Sequence, residues 1–162
     1  MKLTRIAITL LFVLITSAAF AASAAQKSFE ELKSLDGTWE GKSETGEPVE
    51  VDYRVTSNGS AMMGEIKGKE DMISMFSVDG DHVLLTHYCA MGNQPRMVAG
   101  ASPDGKSFTF DFVDATNLAT PDAAHITRLV LAMPDANHHT EEWVFADHGK
   151  EHKAIFDLQR RK

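Results

Sequence analysis

One cysteine, Cys89, occurs in 162 residues, so the chain closes no internal disulfide and its stability has to come from packing. Basic residues are outnumbered: 16 Lys and Arg stand against 23 Asp and Glu, a formal charge of −7. Without a basic cluster, that balance argues against nucleic acid or an anionic membrane surface as partner. After the N-terminal segment no second long apolar stretch appears, so no membrane insertion of the mature chain is expected. Catalytic signatures are also missing. There is no G-x-S-x-G, no H-E-x-x-H, no glycine-rich phosphate loop and no C-x-x-C, which leaves hydrolase, zincin, nucleotide-binding and thiol-redox chemistry without sequence support.

What is present begins with MKLTRIAITLLFVLITSAAFAASAA. Lys2 and Arg5 precede an apolar run from Ile6 to Ile15 and a tail of small residues, the layout of a secretory signal peptide. Ala19-Phe20-Ala21 and Ser23-Ala24-Ala25 both place small residues at the −3 and −1 positions of a cleavage site. The second is preferred, giving a signal peptide over 1–25 and a single domain over 26–162. The expected product is exported, periplasmic or secreted, and large enough to bury a core without staples. No cysteine lies near the cleavage point for lipid attachment.

Ser28-Phe29-Glu30-Glu31 has a capping serine and a glutamate three positions later, and Leu32 and Leu35 add an apolar stripe, so a short helix is predicted from Phe29 to Leu35. Beyond Gly37 the pattern is β throughout. Alternating β-branched and aromatic runs are separated by Asn58-Gly59, Asp79-Gly80 and Asp104-Gly105, dipeptides suited to tight hairpins. Ten strands are predicted over roughly 37–44, 48–57, 60–67, 71–78, 82–89, 95–101, 107–113, 124–133, 139–146 and 151–160. Ten antiparallel neighbours with short loops lose their edges most economically in an up-and-down barrel. A two-sheet sandwich is the alternative, and the lack of long crossovers disfavours it.

Alternation sorts the side chains. Val49, Val51, Tyr53 and Val55 share one face of the second strand, and Phe108, Phe110 and Phe112 one face of the seventh. Turns sort by rim. Those near 58–59, 79–80, 103–105 and 134–137 share a floor with the helix, whereas the longer connections near 44–47, 68–70, 90–94, 114–123 and 146–150 surround a mouth.

The step Gly37-Thr38-Trp39-Glu40-Gly41 resembles the calycin group, the lipocalin and fatty-acid-binding type of β-barrel, in which a G-x-W tryptophan seals the floor. Ten strands and the W-x-G step are also similar to the nitrobindin-type haem barrels. The run Thr86 to Arg96, THYCAMGNQPR, with Phe108-Thr109-Phe110-Asp111-Phe112, resembles a set of small exported bacterial proteins of unassigned function. The likeness implies a barrel that binds something. It departs from the fatty-acid-binding proteins in having no helix-turn-helix insert between the first two strands.

In the fifth strand His87 and Cys89 share parity with Val83 and Leu85, so both are expected inside, near the mouth. His152 shares parity with Ala154, Phe156 and Leu158 on the tenth strand, across the barrel. The expected ligand site comprises His87, Cys89, Met91, Asn93, Arg96 and His152, holding a small, largely apolar or amphipathic molecule with Arg96, His87 and Asn93 orienting its polar end. A haem or copper site using His87 or His152 with Cys89 or Met91 is the alternative, and a partner-binding module with no ligand a third. Catalysis by a Cys89–His87 pair would need the histidine to turn toward the thiol. Met62, Met63, Met72, Met75, Met91 and Met97 suit an adaptable apolar lining. His138, His139 and His148 are expected in solvated loops, and Trp143 in the core or wall.

Overall fold

A computed structural model describes residues 22–68, 70–100 and 102–162; most of the expected signal peptide, residues 1–21, lies outside them. Ten strands follow in chain order: β1 (Gly37–Ser43), β2 (Pro48–Thr56), β3 (Ala61–Lys67), β4 (Met72–Asp79), β5 (His82–Tyr88), β6 (Gln94–Ala99), β7 (Ser107–Thr116), β8 (His125–Asp135), β9 (His138–Asp147) and β10 (Lys150–Arg160). Each pairs antiparallel with its sequence neighbour, and β10 pairs with β1, closing the barrel. Closure leaves no free edge for another chain to extend.

The predicted strands match within a few residues. β7 departs most, running three residues past its expected end to Thr116. There a register shift opposite Arg96 and Met97 lets Asp114 pair with Arg96 and Phe112 with Met97. Val113 falls between them and is exposed, the extra residue of a bulge that lengthens and bends the strand.

One helix, α1 (Ala24–Leu32), continues into a 3-10 turn over Lys33–Leu35. It starts five residues before the prediction, because Ser23 rather than Ser28 is the cap: the Ser23 hydroxyl accepts the Gln26 N–H at 3.1 Å. Ser28 is buried within the helix, and its Oγ accepts the Ser102 N–H instead. α1 buries Phe29 and Leu32, with Leu35 following, against the floor.

Trp39 completes that floor. It is fully buried, donates its indole N–H to the Leu35 carbonyl at 2.7 Å, and lies 4.2 Å under the Arg160 guanidinium. Arg160 in turn donates to the carbonyls of Ser34, Asp36 and Ala136. One cation thus ties the helix exit to the last strand and to the β8–β9 turn. Gly41, two residues beyond Trp39, has a steric reason: a Cβ there would meet the Asp157 carbonyl oxygen at 1.8 Å, so only glycine allows β1 and β10 to approach as they do.

Inward positions from the floor to mid-barrel are filled. Val51, Phe76, Val83, Leu85, Met97, Phe108, Phe110, Leu129, Leu131 and Leu158 are all buried in one continuous core. Edge-on contact between Phe76 and Phe110, with centroids 5.6 Å apart, joins β4 to β7 through the interior.

Candidate functional site

Toward the mouth the filling stops. A cavity of about 300 Å³ opens there, walled largely by Ile66, Met72, Ile126, Trp143, Phe145 and Phe156. That volume is at the lower end for small-molecule pockets. A wider depression of about 490 Å³ lies outside the barrel between Glu40, Pro48, Glu50 and Lys67. Ion pairs of Lys67 and Arg161 with those carboxylates already occupy its polar groups, so the mouth cavity is the candidate.

Three of the six sequence-predicted residues meet at it: His87, Cys89 and Met91. Parity brings the first two inward from β5 and the residue following it, as expected. His87 is 1 % exposed. Its Nδ1 shares a 3.0 Å hydrogen bond with Ser74 Oγ on β4, and its ring lies 4.8 Å from Trp143 of β9. Burial pulls its pKa down to about 4, with the Glu141 carboxylate opposing weakly. The imidazole is therefore neutral at pH 7. Its Nε2 is covered and has no hydrogen-bond partner, an arrangement that costs about 1–3 kcal/mol unless something binds there.

Burial pushes the Cys89 thiol up, the Met91 N–H offsets part of this, and Glu70 adds to it. A protonated thiol beside a weakly basic imidazole is not an activated nucleophile. Met91 sits in the β5–β6 connection, 43 % exposed, and forms the rim of the cavity.

The other three do not line the cavity. Arg96 points outward, because Pro95, Met97 and Ala99 take the buried positions of β6; its guanidinium pairs with Asp114 in solvent. The expected anion-anchoring role is corrected to a surface ion pair. Asn93 is buried but turned to the backbone, donating its Nδ2 to the Ala124 carbonyl at 2.8 Å. Together with Asn117, which donates to the Gly92 carbonyl, it clamps two mouth loops and thereby fixes the cavity rim. His152 is exposed at the rim, stacked on the cavity residue Phe145 with ring centroids 5.1 Å apart, and does not line the cavity that Ala154 and Phe156 reach from the same strand.

A second polar group lies deeper, and composition gave no hint of it. His139 and Glu141, two apart on β9, are both fully buried. This overturns the solvated-loop expectation for His139, whereas His138 and His148 do pair with Asp157 and Asp147 toward solvent. Glu141 Oε1 accepts from Tyr53 Oη at 2.6 Å and His139 Nε2 at 3.1 Å, and Oε2 accepts from Trp143 Nε1 at 2.8 Å. Burial alone would raise the Glu141 carboxyl; the donated hydrogen bonds and the field of His139 outweigh it and hold it below the usual range. Trp143 is therefore gripped from behind by a carboxylate while its ring forms the cavity wall.

The methionines divide by parity. Met62 and Met97 fill core, Met72 and Met91 line the cavity, and Met63 and Met75 pair across β3 and β4 on the outer face. Among the described residues no group of three or more His, Cys, Asp and Glu side chains is arranged to hold a metal ion.

No family model matches the chain, and no curated protein does. Solved structures share its fold. It is similar to Rv2717c from M. tuberculosis, with TM-score 0.60 and 17 % identity over 83 % of this chain and 98 % of that one. It is also similar to a protein of unknown function from the DUF3598 family of Nostoc punctiforme PCC 73102, with TM-score 0.56 and 10 % identity over 80 % of this chain and 48 % of that one. Identities this low support the closed barrel and nothing finer.

Proposed function

We propose that this is an exported binding protein that holds a small, largely apolar molecule in the mouth cavity of its barrel. One observation carries the reading: an apolar cavity of about 300 Å³ with a buried imidazole in its wall whose Nε2 lacks a partner. Apolar walls supply affinity by removing ligand surface from water, at roughly 25 cal/mol per Å², and a single convergent polar atom supplies orientation. The experiment is native mass spectrometry of the protein purified from its own host, beside Ala154→Leu, which fills the space from β10. A bound organic mass in the native chain that Ala154→Leu loses is the expected result. A clean apo mass in both, together with no uptake of an uncharged apolar dye, overturns the reading.

Haem or copper is the second reading, and the neutral His87 is what favours it, since metals take the neutral imidazole. The donors His87, Cys89, Met72 and Met91 share one cavity, a soft N/S set that suits copper. A Soret band or stoichiometric copper in the purified protein would displace the first reading.

Export rests on the N-terminal layout, and α1 bears on where processing falls. Cleavage after Ala25 would remove Ser23, the helix cap, and the buried Ala25. Cleavage after Ala21 keeps both, so the mature chain on this reading begins at Ala22, and the intact mass of the periplasmic protein tests it.

A further inference from the structure

The groups around the mouth cavity bear on the charge its guest can carry. Its aliphatic and aromatic walls offer no counter-ion. Three titratable side chains line it, His87, Cys89 and Glu70, and Glu141 stands behind Trp143. The imidazole is neutral and the thiol keeps its proton, for the reasons given above. Glu70 is exposed at the rim and Glu141 is held as a carboxylate beneath the wall. Glu141 is bonded to His139 at 3.1 Å within its own network, so Glu70 is the carboxylate at the cavity itself. Among the described residues no Lys or Arg lines the cavity; Lys67 and Lys153, which adjoin lining residues in the chain, pair with Glu50 and Asp52 and with Glu142, and Arg96 is turned outward onto Asp114.

We propose that the cavity selects uncharged molecules of one or two rings and rejects carboxylates, because its wall is apolar and, among the described residues, no Lys or Arg lines it to pair with an anion. This deepens the binding reading and rests on it. Volume sets the size: an apolar cavity of about 150 Å³ accepts benzene, so one of about 300 Å³ suits a fused bicycle. Burying an unpaired carboxylate costs far more than burying the neutral analogue of the same shape. On this proposal a hydroxyl on the guest, able to donate or accept, pairs with the covered and unpartnered His87 Nε2 once the ring turns toward the cavity.

The test uses one ring system in two charge states. Calorimetric titration of the mature protein at pH 7 with 1-naphthol and with 1-naphthoate is expected to show the alcohol binding at least about tenfold tighter, and Ala154→Leu is expected to abolish it. Naphthoate binding as tightly as naphthol, lost in Ala154→Leu, overturns the charge rule while the binding reading stands. Binding of neither compound overturns both. Lys69 neighbours Glu70 in sequence and lies outside the described residues, so Lys69→Ala is titrated as well; naphthoate affinity that disappears with it reveals a cation and also overturns the rule.

Cys89 gives an independent readout as the sole thiol. Its thiolate displaces iodide from iodoacetamide or iodoacetate, forming the S–C bond while the thiol proton passes to solvent. The uncharged reagent is expected to be favoured over the anionic one about tenfold more than it is with glutathione, with naphthol protecting the site. A ratio equal to that of glutathione overturns the proposal.

Discussion

Floor and mouth of this barrel obey the same alternation and end in opposite states. At the floor, inward positions carry Trp39, Phe108, Phe110 and Leu131 in one buried cluster, and a helix covers the end. At the mouth, β10 presents Ala154 and half-buried Phe156 and the residue after β5 is Cys89; among the described residues no helix covers them, and a cavity remains. Between the two lies the Glu141 network, whose carboxylate binds Tyr53 and His139 below and Trp143 above. A hollow in a protein interior is expensive. Its persistence at one end follows from short side chains at Cys89, Ala90 and Ala154 among the larger wall residues and from a well-supported wall beneath.

The sharpest way to break this comparison is at the boundary. Glu141→Ala strands three buried donors and is expected to destabilise the fold by about 3–5 kcal/mol in urea unfolding, with Trp143 fluorescence changing as its indole loses its acceptor. A loss below about 1 kcal/mol would mean the network carries no structural weight. Next comes truncation at each end. Phe110→Ala opens a void in packed core and should cost about 3–5 kcal/mol. Phe156→Ala enlarges a space that already exists and should cost only about 1 kcal/mol, the transfer term of a half-buried ring. Equal losses would erase the distinction between a solid floor and a hollow mouth.

Acid separates the mouth by a different route. The folded pKa of His87, near 4, lies below its unfolded value of about 6.5. The unfolded chain therefore binds the extra proton first, and stability falls as pH drops from about 6.5 to 4, by about 3 kcal/mol in total. Urea midpoints taken across that range should flatten in His87→Asn; an unchanged slope would assign the effect elsewhere. Glu141 works in the same direction at lower pH, since a depressed carboxyl loses its contribution as pH falls through its folded value. The smallest effect is expected on the outer wall: Arg96→Ala should change stability by less than about 1 kcal/mol, because its pair with Asp114 is solvated, and should leave ligand retention intact.

How far these contrasts could be read from residues alone differs by region. The strands were legible because a period of two and turn dipeptides are local properties. Arg96 was misjudged for its place after a turn, although the alternation of Pro95, Met97 and Ala99 already assigned it outward. His139 and Glu141 escaped notice because Thr140 and Glu142 are as polar as they are, so that stretch of β9 shows no apolar bias to mark its inner face. Their partner Tyr53 is 88 residues away in the chain, a separation that no window of sequence spans. The helix start was missed because two serines both satisfy a capping pattern, and only the contact of Ser28 with Ser102 decides between them.

By itself the sequence determined a ten-stranded closed β meander with a helix and Trp39 at one end, since alternation, turn residues and edge avoidance act on neighbouring residues. Only the tertiary structure decided that the mouth stays hollow, that His87 keeps an unpartnered nitrogen beneath its wall, and that Glu141 is buried with three donors. Those outcomes depend on which side chains from distant strands meet across the barrel, and closure alone brings them together.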